Sequence, residues 1–135
     1  MRNVLVTGGA GYIGTHTMVA LLENGYNPIL VDNFSNSVKG ILPRLEERCG
    51  QPIRVSELDC CDAAELTKIA RQYECSAVIH FAAFKAVGES VEQPLKYYHN
   101  NLASMAAVIQ CMYDSGIQDL VFSSSCTVYG QPDAM

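Results

Sequence analysis

Apolar residues are spread along this chain in two alternating ways, as short continuous runs and as longer stretches where they recur every three or four positions. The runs predict five strands: Val4 to Thr7, a buried strand over Pro28 to Asp32, a third over Ile53 to Leu58 that is weaker by pattern, Ala77 to Phe81 and Asp119 to Phe122. Between them, helical spacing predicts four helices. The first carries Tyr12, Ile13, Met18, Val19, Leu21 and Leu22 and ends at Asn24-Gly25. The second spans Val38 to Arg48, its start limited by Pro43. The third is capped by Asp62 and runs through Tyr73, with Leu66, Ile69 and Ala70 on one face. The longest runs from Pro94 to Ser115 and stops at Gly116; Leu95, Tyr98, Leu102, Met105, Ala106, Ile109 and Met112 predict its buried face. Strict alternation of strand and helix predicts right-handed crossovers and an α/β fold with a doubly wound parallel sheet, in the order 3-2-1-4-5. No internal repeat or low-complexity segment interrupts it.

Composition agrees with one folded domain over residues 1–135. A hydrophobic share of 49% against 17% charged excludes a disordered chain. The net charge of -5 and four scattered lysines argue against a nucleic-acid surface. An anionic ligand has to be held by local dipoles instead. No apolar run approaches the roughly 20 residues of a membrane span, and no signal-peptide core precedes the first strand, so a cytoplasmic location is expected. Six cysteines (Cys49, Cys60, Cys61, Cys75, Cys111 and Cys126) form no C-x-x-C pair and lie far in sequence from the three histidines. Reduced, mostly buried thiols are expected, and no metal site.

The chemistry concentrates where the first run breaks into Thr7-Gly8-Gly9-Ala10-Gly11-Tyr12-Ile13-Gly14. Glycines between a strand and a helix suit a dinucleotide-binding turn. Gly8 permits the sharp turn, Gly11 permits close approach of a pyrophosphate, and Gly14 permits tight helix packing. The free N–H groups of the helix start carry roughly half a positive charge, which favours phosphate. Asp32, about 20 residues on at the end of the second strand, is placed to accept hydrogen bonds from the adenosine ribose. The plainer role for Asp32 is that of a turn residue. Facing the ribose, its charge would repel a 2′-phosphate by about 4 kcal/mol per charge pair at 4 Å and an effective dielectric near 20, so NAD rather than NADP is expected. Ala82 and Ala83 end the fourth strand with small side chains across which a cofactor can lie.

With two residues in each gap between Gly8, Gly11 and Gly14, the turn resembles that of the extended short-chain dehydrogenase/reductase family, whose fold is Rossmann-like. Within it the chain resembles the amino-terminal part of the sugar-nucleotide epimerases. The resembling residues are Val6 to Gly14, Val31-Asp32-Asn33, Phe81 to Ser90 (Phe-Ala-Ala-Phe-Lys-Ala-Val-Gly-Glu-Ser) and Ser123 to Gly130 (Ser-Ser-Ser-Cys-Thr-Val-Tyr-Gly). The resemblance implies NAD contacts from Tyr12, Ile13, Asp32, Asn33, Asn36, Ser37, Asp59, Cys60, Phe81, Ala82, Lys85 and Asn100. It also implies Ser123 near the nicotinamide and Ser125 on the reacting sugar hydroxyl. The implied reaction interconverts UDP-galactose and UDP-glucose through a 4-keto sugar, in a homodimer.

The chain departs from that pattern in several places. Ala103-Ser104-Met105 replaces a common Asn-Gly-Thr, which bears on helix packing, and Cys60 stands where an aliphatic residue is usual. Family dehydratases carry an Asp-Glu pair after the threonine equivalent to Thr127, and this chain has none. No Tyr-x-x-x-Lys, the family's proton-transfer pair, occurs in these 135 residues. The resemblance therefore implies a chain truncated after the fifth strand, without the sugar-nucleotide subdomain, and inactive alone. A non-catalytic nucleotide-binding module, or a dehydratase or decarboxylase of the same family, are the alternatives.

Overall fold

The computed structural model describes residues 1–125, Val128 and Gly130. In chain order the elements are β1 (Asn3–Thr7), α1 (Tyr12–Glu23), β2 (Asn27–Asp32), α2 (Ile41–Cys49), β3 (Arg54–Glu57), α3 (Ala63–Gln72), β4 (Cys75–His80), α4 (Val87–Glu92), α5 (Pro94–Ser115) and β5 (Asp119–Phe122). The strands form one parallel sheet in the order β3-β2-β1-β4-β5, as the alternation predicts.

Side chains of a strand alternate between the two faces of a sheet, and β1 feeds two separate cores in this way. Leu5 packs with Ile29, Val31, Val78, Leu66, Ala70, Val108 and Cys111, under α3 and α5. Val4 and Val6 pack with Leu30, Met18 and Leu45, under α1 and α2. Full burial of a Val, Leu or Ile contributes about 1.5–3 kcal/mol, so β1, wet on neither face, is firmly anchored. β5 is an outer strand, and its Val121 and Phe122 are exposed.

Local sequence explains most boundaries. The Asp62 carboxylate accepts the Glu65 N–H at 3.0 Å and starts α3. Gly116 ends α5 in the left-handed region. Pro43 lies in the first turn of α2, where its missing N–H costs no helical bond. β3 is shorter than expected, while β2 and β4 begin earlier.

Two differences matter for function. The short helix α4 was not expected from the pattern, because six residues are too few to display a period. The second difference is the orientation of α5. Its predicted buried face is largely the wet one: Leu95 is 71% exposed and Tyr98 64%, and Leu102, Ala106 and Ile109 are exposed too. Tyr97, Ser104, Ala107, Val108 and Cys111 are buried instead, about 140° around the helix at 100° per residue. Small residues there let α5 approach α3, and Ser104, at the place of departure from the family pattern, satisfies its hydroxyl on the Asn101 carbonyl at 3.1 Å. Among the described residues no helix is long and apolar enough to cross a membrane.

Candidate functional site

The sheet order reverses between β1 and β4, and ligands of such sheets bind outside the carboxyl ends of the strands at that point. The segments following all five strands meet at this end: Gly8 to Gly14, Asp32 to Ser37, Asp59 and Cys60, Phe81 to Lys85, and Ser123 to Ser125.

The turn after β1 is built on close backbone approach. Gly8 has φ +68, and a Cβ there would lie 2.7 Å from the Ala82 nitrogen, so the turn rests directly on the chain leaving β4. At Gly14 a Cβ would lie 2.8 Å from the Gly9 backbone, so this glycine packs α1 against the turn itself rather than along the strand. Gly11 is the N-cap of α1 and offers no side-chain acceptor, and the first turn of the helix holds no acid. The first-turn amides, including those of Tyr12 and Ile13, therefore keep their donors for an external acceptor. Tyr12 is 80% exposed and stacks edge-on against His16. Both Tyr12 and Ile13 lie outside the core, beside the turn.

Asp32 is bonded on both carboxylate oxygens. Its Oδ2 accepts the Ala10 N–H at 3.0 Å, and its Oδ1 accepts the Phe34 N–H at 2.8 Å and the Ser37 hydroxyl at 3.0 Å. Phe34 takes φ +55, which that bond helps to hold. A carboxylate has about four acceptor sites, so one site on Oδ2 is left for a ligand hydroxyl. Next to it, the exposed Asn33 reaches Asp59 through an Nδ2 to Oδ2 bond of 3.2 Å, and Asn36 is exposed. The Cys61 N–H donates to Asp59 at 2.9 Å, and this bond holds the carboxyl below its ordinary pKa. Cys60 is buried, and desolvation pushes its thiol up to about 12; Cys61, half-buried, is raised to about 11. Neither is a thiolate nucleophile. Cys49, Cys75 and Cys111 are free as well. Cys126, Thr127 and Tyr129 lie outside the described residues.

Two polar arrangements, one buried and one half-buried, escaped the sequence. His80, 2% exposed, ends β4 with Nδ1 at 2.6 Å from the Thr7 hydroxyl, and its ring stacks on Phe122. Burial lowers its pKa, so neutral His80 ties β1 to β4 directly below the glycine turn. Ser123, exposed beyond β5, donates its N–H to the His80 carbonyl at 3.2 Å, and the Ser125 carbonyl accepts the Val128 N–H at 3.4 Å. The second arrangement is Asn101 on α5, which bonds both backbone groups of Phe84 in the loop that holds the half-buried Phe81 and Ala82 and the exposed Lys85. Its signal was available in the spacing Tyr97, Asn101, Ser104, Val108, Cys111: one amide on an otherwise buried stripe. Among the described residues no three His, Cys, Asp or Glu side chains come together as metal ligands.

Residues 4–135 match the model of the NAD dependent epimerase/dehydratase family. The chain belongs to that family. It is 48% identical over 138 residues to the UDP-glucose 4-epimerase of Mus musculus, covering 98% of this chain and 40% of the mouse protein. To the UDP-glucose 4-epimerase of Schizosaccharomyces pombe it is 50% identical over 129 residues, covering 96% and 36%. Among solved structures of the family, that of the UDP-glucose 4-epimerase of Stenotrophomonas maltophila, with bound NAD and formylated UDP-arabinopyranose, superposes with a TM-score of 0.94 at 41% identity, over 98% of this chain and 40% of that one. The Bifidobacterium longum enzyme in complex with NAD+ and UDP gives 0.92 at 44% identity, over 99% and 40%. The chain thus spans about 40% of the length of these family members.

Proposed function

We propose that this chain is the NAD-binding portion of a UDP-glucose 4-epimerase, forming one Rossmann-like domain that lacks the rest of the enzyme. The carrying observation is the uncapped glycine turn beside Asp32 at the switch point, in a chain about half identical along its whole length to UDP-glucose 4-epimerases. The open first-turn amides suit a pyrophosphate, and the remaining Oδ2 site of Asp32 suits a ribose hydroxyl.

In this reading NAD is contacted by Gly8, Gly11, Tyr12, Ile13, Gly14, Asp32, Asn33, Asn36, Ser37, Asp59, Cys60, Phe81, Ala82, Lys85 and Asn100. Ser123 lies near the nicotinamide and Ser125 meets the sugar hydroxyl. When bound, NAD supplies the removal and return of hydride at the sugar's fourth carbon. The residues of this chain bind and orient. The proton transfer needs a base, for which the family uses Tyr-x-x-x-Lys; with no such pair among these 135 residues, the chain alone is proposed to be inactive. The complete enzyme is proposed to be cytoplasmic and homodimeric, acting on UDP-galactose and UDP-glucose.

Calorimetric titration of the chain with NAD and NADP tests the cofactor assignment. NAD is expected to bind at least about tenfold tighter, since 1.4 kcal/mol, a fraction of the unscreened repulsion at Asp32, already gives that factor. Asp32→Asn, which keeps the side-chain volume, narrows the gap. Equal affinities for the two dinucleotides before mutation refute the assignment.

A further inference from the structure

The loop between β4 and α4 has no secondary structure of its own, yet it is held at one point by a single amide. The Phe84 N–H donates to Asn101 Oδ1 at 2.9 Å, and Asn101 Nδ2 donates to the Phe84 carbonyl at 2.9 Å. Both backbone groups of one loop residue are thus satisfied by one side chain, which fixes position and orientation together. The same Oδ1 accepts Nδ2 of Asn100 at 3.0 Å. The Phe84 ring reinforces the clamp, lying 5.7 Å from the Tyr97 ring with the Lys96 ammonium 4.9 Å from its centroid. Glu89 of α4 closes the bracket, accepting from Lys96 at 2.6 Å and from the Tyr97 hydroxyl at 2.7 Å.

What this clamp presents is a cation. Lys39, Lys68 and Lys96 are each paired with a glutamate, whereas Lys85, next to Phe84, forms no ion pair among the described residues. A lysine side chain carries about 2 kcal/mol of rotamer entropy, and an unclamped loop would add backbone freedom to the cost of placing its charge. Asn101 thus stands between two residues of the crevice, Lys85 through Phe84 and Asn100 by direct contact.

We propose that Asn101 is a positioning residue: its amide clamps the β4–α4 loop so that Lys85 and Asn100 are presented together to the part of a dinucleotide lying beyond the pyrophosphate. This rests on the NAD reading above. A dinucleotide with its adenosine ribose at Asp32 crosses the switch point, so its other half lies on the β4 side, where the clamp is. ADP, which stops at the turn, does not reach it.

The test is calorimetric titration of the chain with NAD+ and with ADP, for the parent, Asn101→Ala, Asn101→Asp, Lys85→Ala and Asn101→Ala combined with Lys85→Ala, each with a thermal unfolding curve. Asn101→Asp keeps the size and the acceptor for the Phe84 N–H, but places an oxygen against the Phe84 carbonyl. Both Asn101 variants are expected to bind NAD+ five- to tenfold more weakly and ADP within twofold of the parent. The double variant is expected to bind NAD+ no more than about twofold more weakly than the weaker single variant, because Asn101 acts through Lys85. Unchanged NAD+ affinity in Asn101→Asp, equal losses for NAD+ and ADP, or multiplying losses in the double variant overturn the proposal. If the parent binds ADP and NAD+ equally, the positioning role fails while the nucleotide site stands; if it binds neither, the NAD reading fails and this inference with it.

Discussion

Replacing Gly14 by alanine puts a methyl group into a space that the backbone of the turn already fills. The added Cβ would lie 2.8 Å from both Cα and C of Gly9, with the Gly8 carbonyl oxygen closer still. Comfortable carbon–carbon contact begins near 3.5 Å, so the turn has to retreat by roughly 0.7 Å. Every obstructing atom is main chain and cannot rotate away. Overpacking of this kind costs about 1–3 kcal/mol, the upper part of that range applying where only main chain obstructs, and after alanine recovers up to about 1 kcal/mol of helix propensity in α1 a net loss of about 1–2.5 kcal/mol is expected. Gly88 in α4 is the matched control, with nothing within 4 Å of its notional Cβ. There the same change is expected to stabilise by about 0.5 kcal/mol. For a chain of this size 1 kcal/mol shifts the melting point by roughly 4 °C. Differential scanning calorimetry should find Gly14→Ala lower by about 4–10 °C and Gly88→Ala higher by about 2 °C. A Gly14→Ala protein melting within about 1 °C of the parent would refute the account of the turn as a close-packed element.

Two further outcomes follow from the titrating groups. Burial lowers the pKa of His80 below its unfolded value, so the unfolded chain binds more protons in this range, and stability is lost as pH falls from about 6.5 towards the folded pKa. The parent should therefore lose more stability between about pH 7 and pH 5 than His80→Gln does, and parallel melting profiles count against a buried neutral imidazole. Cys60, its thiol raised to about 12, should resist iodoacetamide at pH 8 in the native chain and react once the chain is unfolded in urea. Equal rates in the two states, measured by peptide mass spectrometry, exclude the burial that raises it.

The sequence made the sheet legible because its signals were local and redundant. Every strand but β3, whose Arg-Val-Ser-Glu is weaker by pattern, contains an apolar run closed by a polar or glycine residue, and Asp62 and Gly116 mark helix ends by their residue type alone. The orientation of α5 was not legible in the same way. Its apolar residues make two stripes, and counting large side chains selects Leu95, Tyr98, Leu102 and Ile109, the stripe exposed in this chain. Burial went to the side where small residues permit close approach, and closeness of approach is a property of the partner element α3 as much as of the helix. The glycine turn and Asp32 were readable as a site because their spacing is short-range. The ties Thr7–His80 and Phe84–Asn101 join residues 73 and 17 positions apart, which no window along the chain connects.

The central place of β1 has a consequence for how the molecule breathes. Amide exchange proceeds through partial openings, which start where protection is thinnest. Here that is at β3 and β5, the two flanks of the sheet, while β1 is bonded on both sides and dry on both faces. The amides of Leu5, Val6 and Thr7 should consequently exchange only through global unfolding. The glycine turn grows directly from that strand, so either flank can fray and re-form many times while the mouth of the crevice keeps its shape.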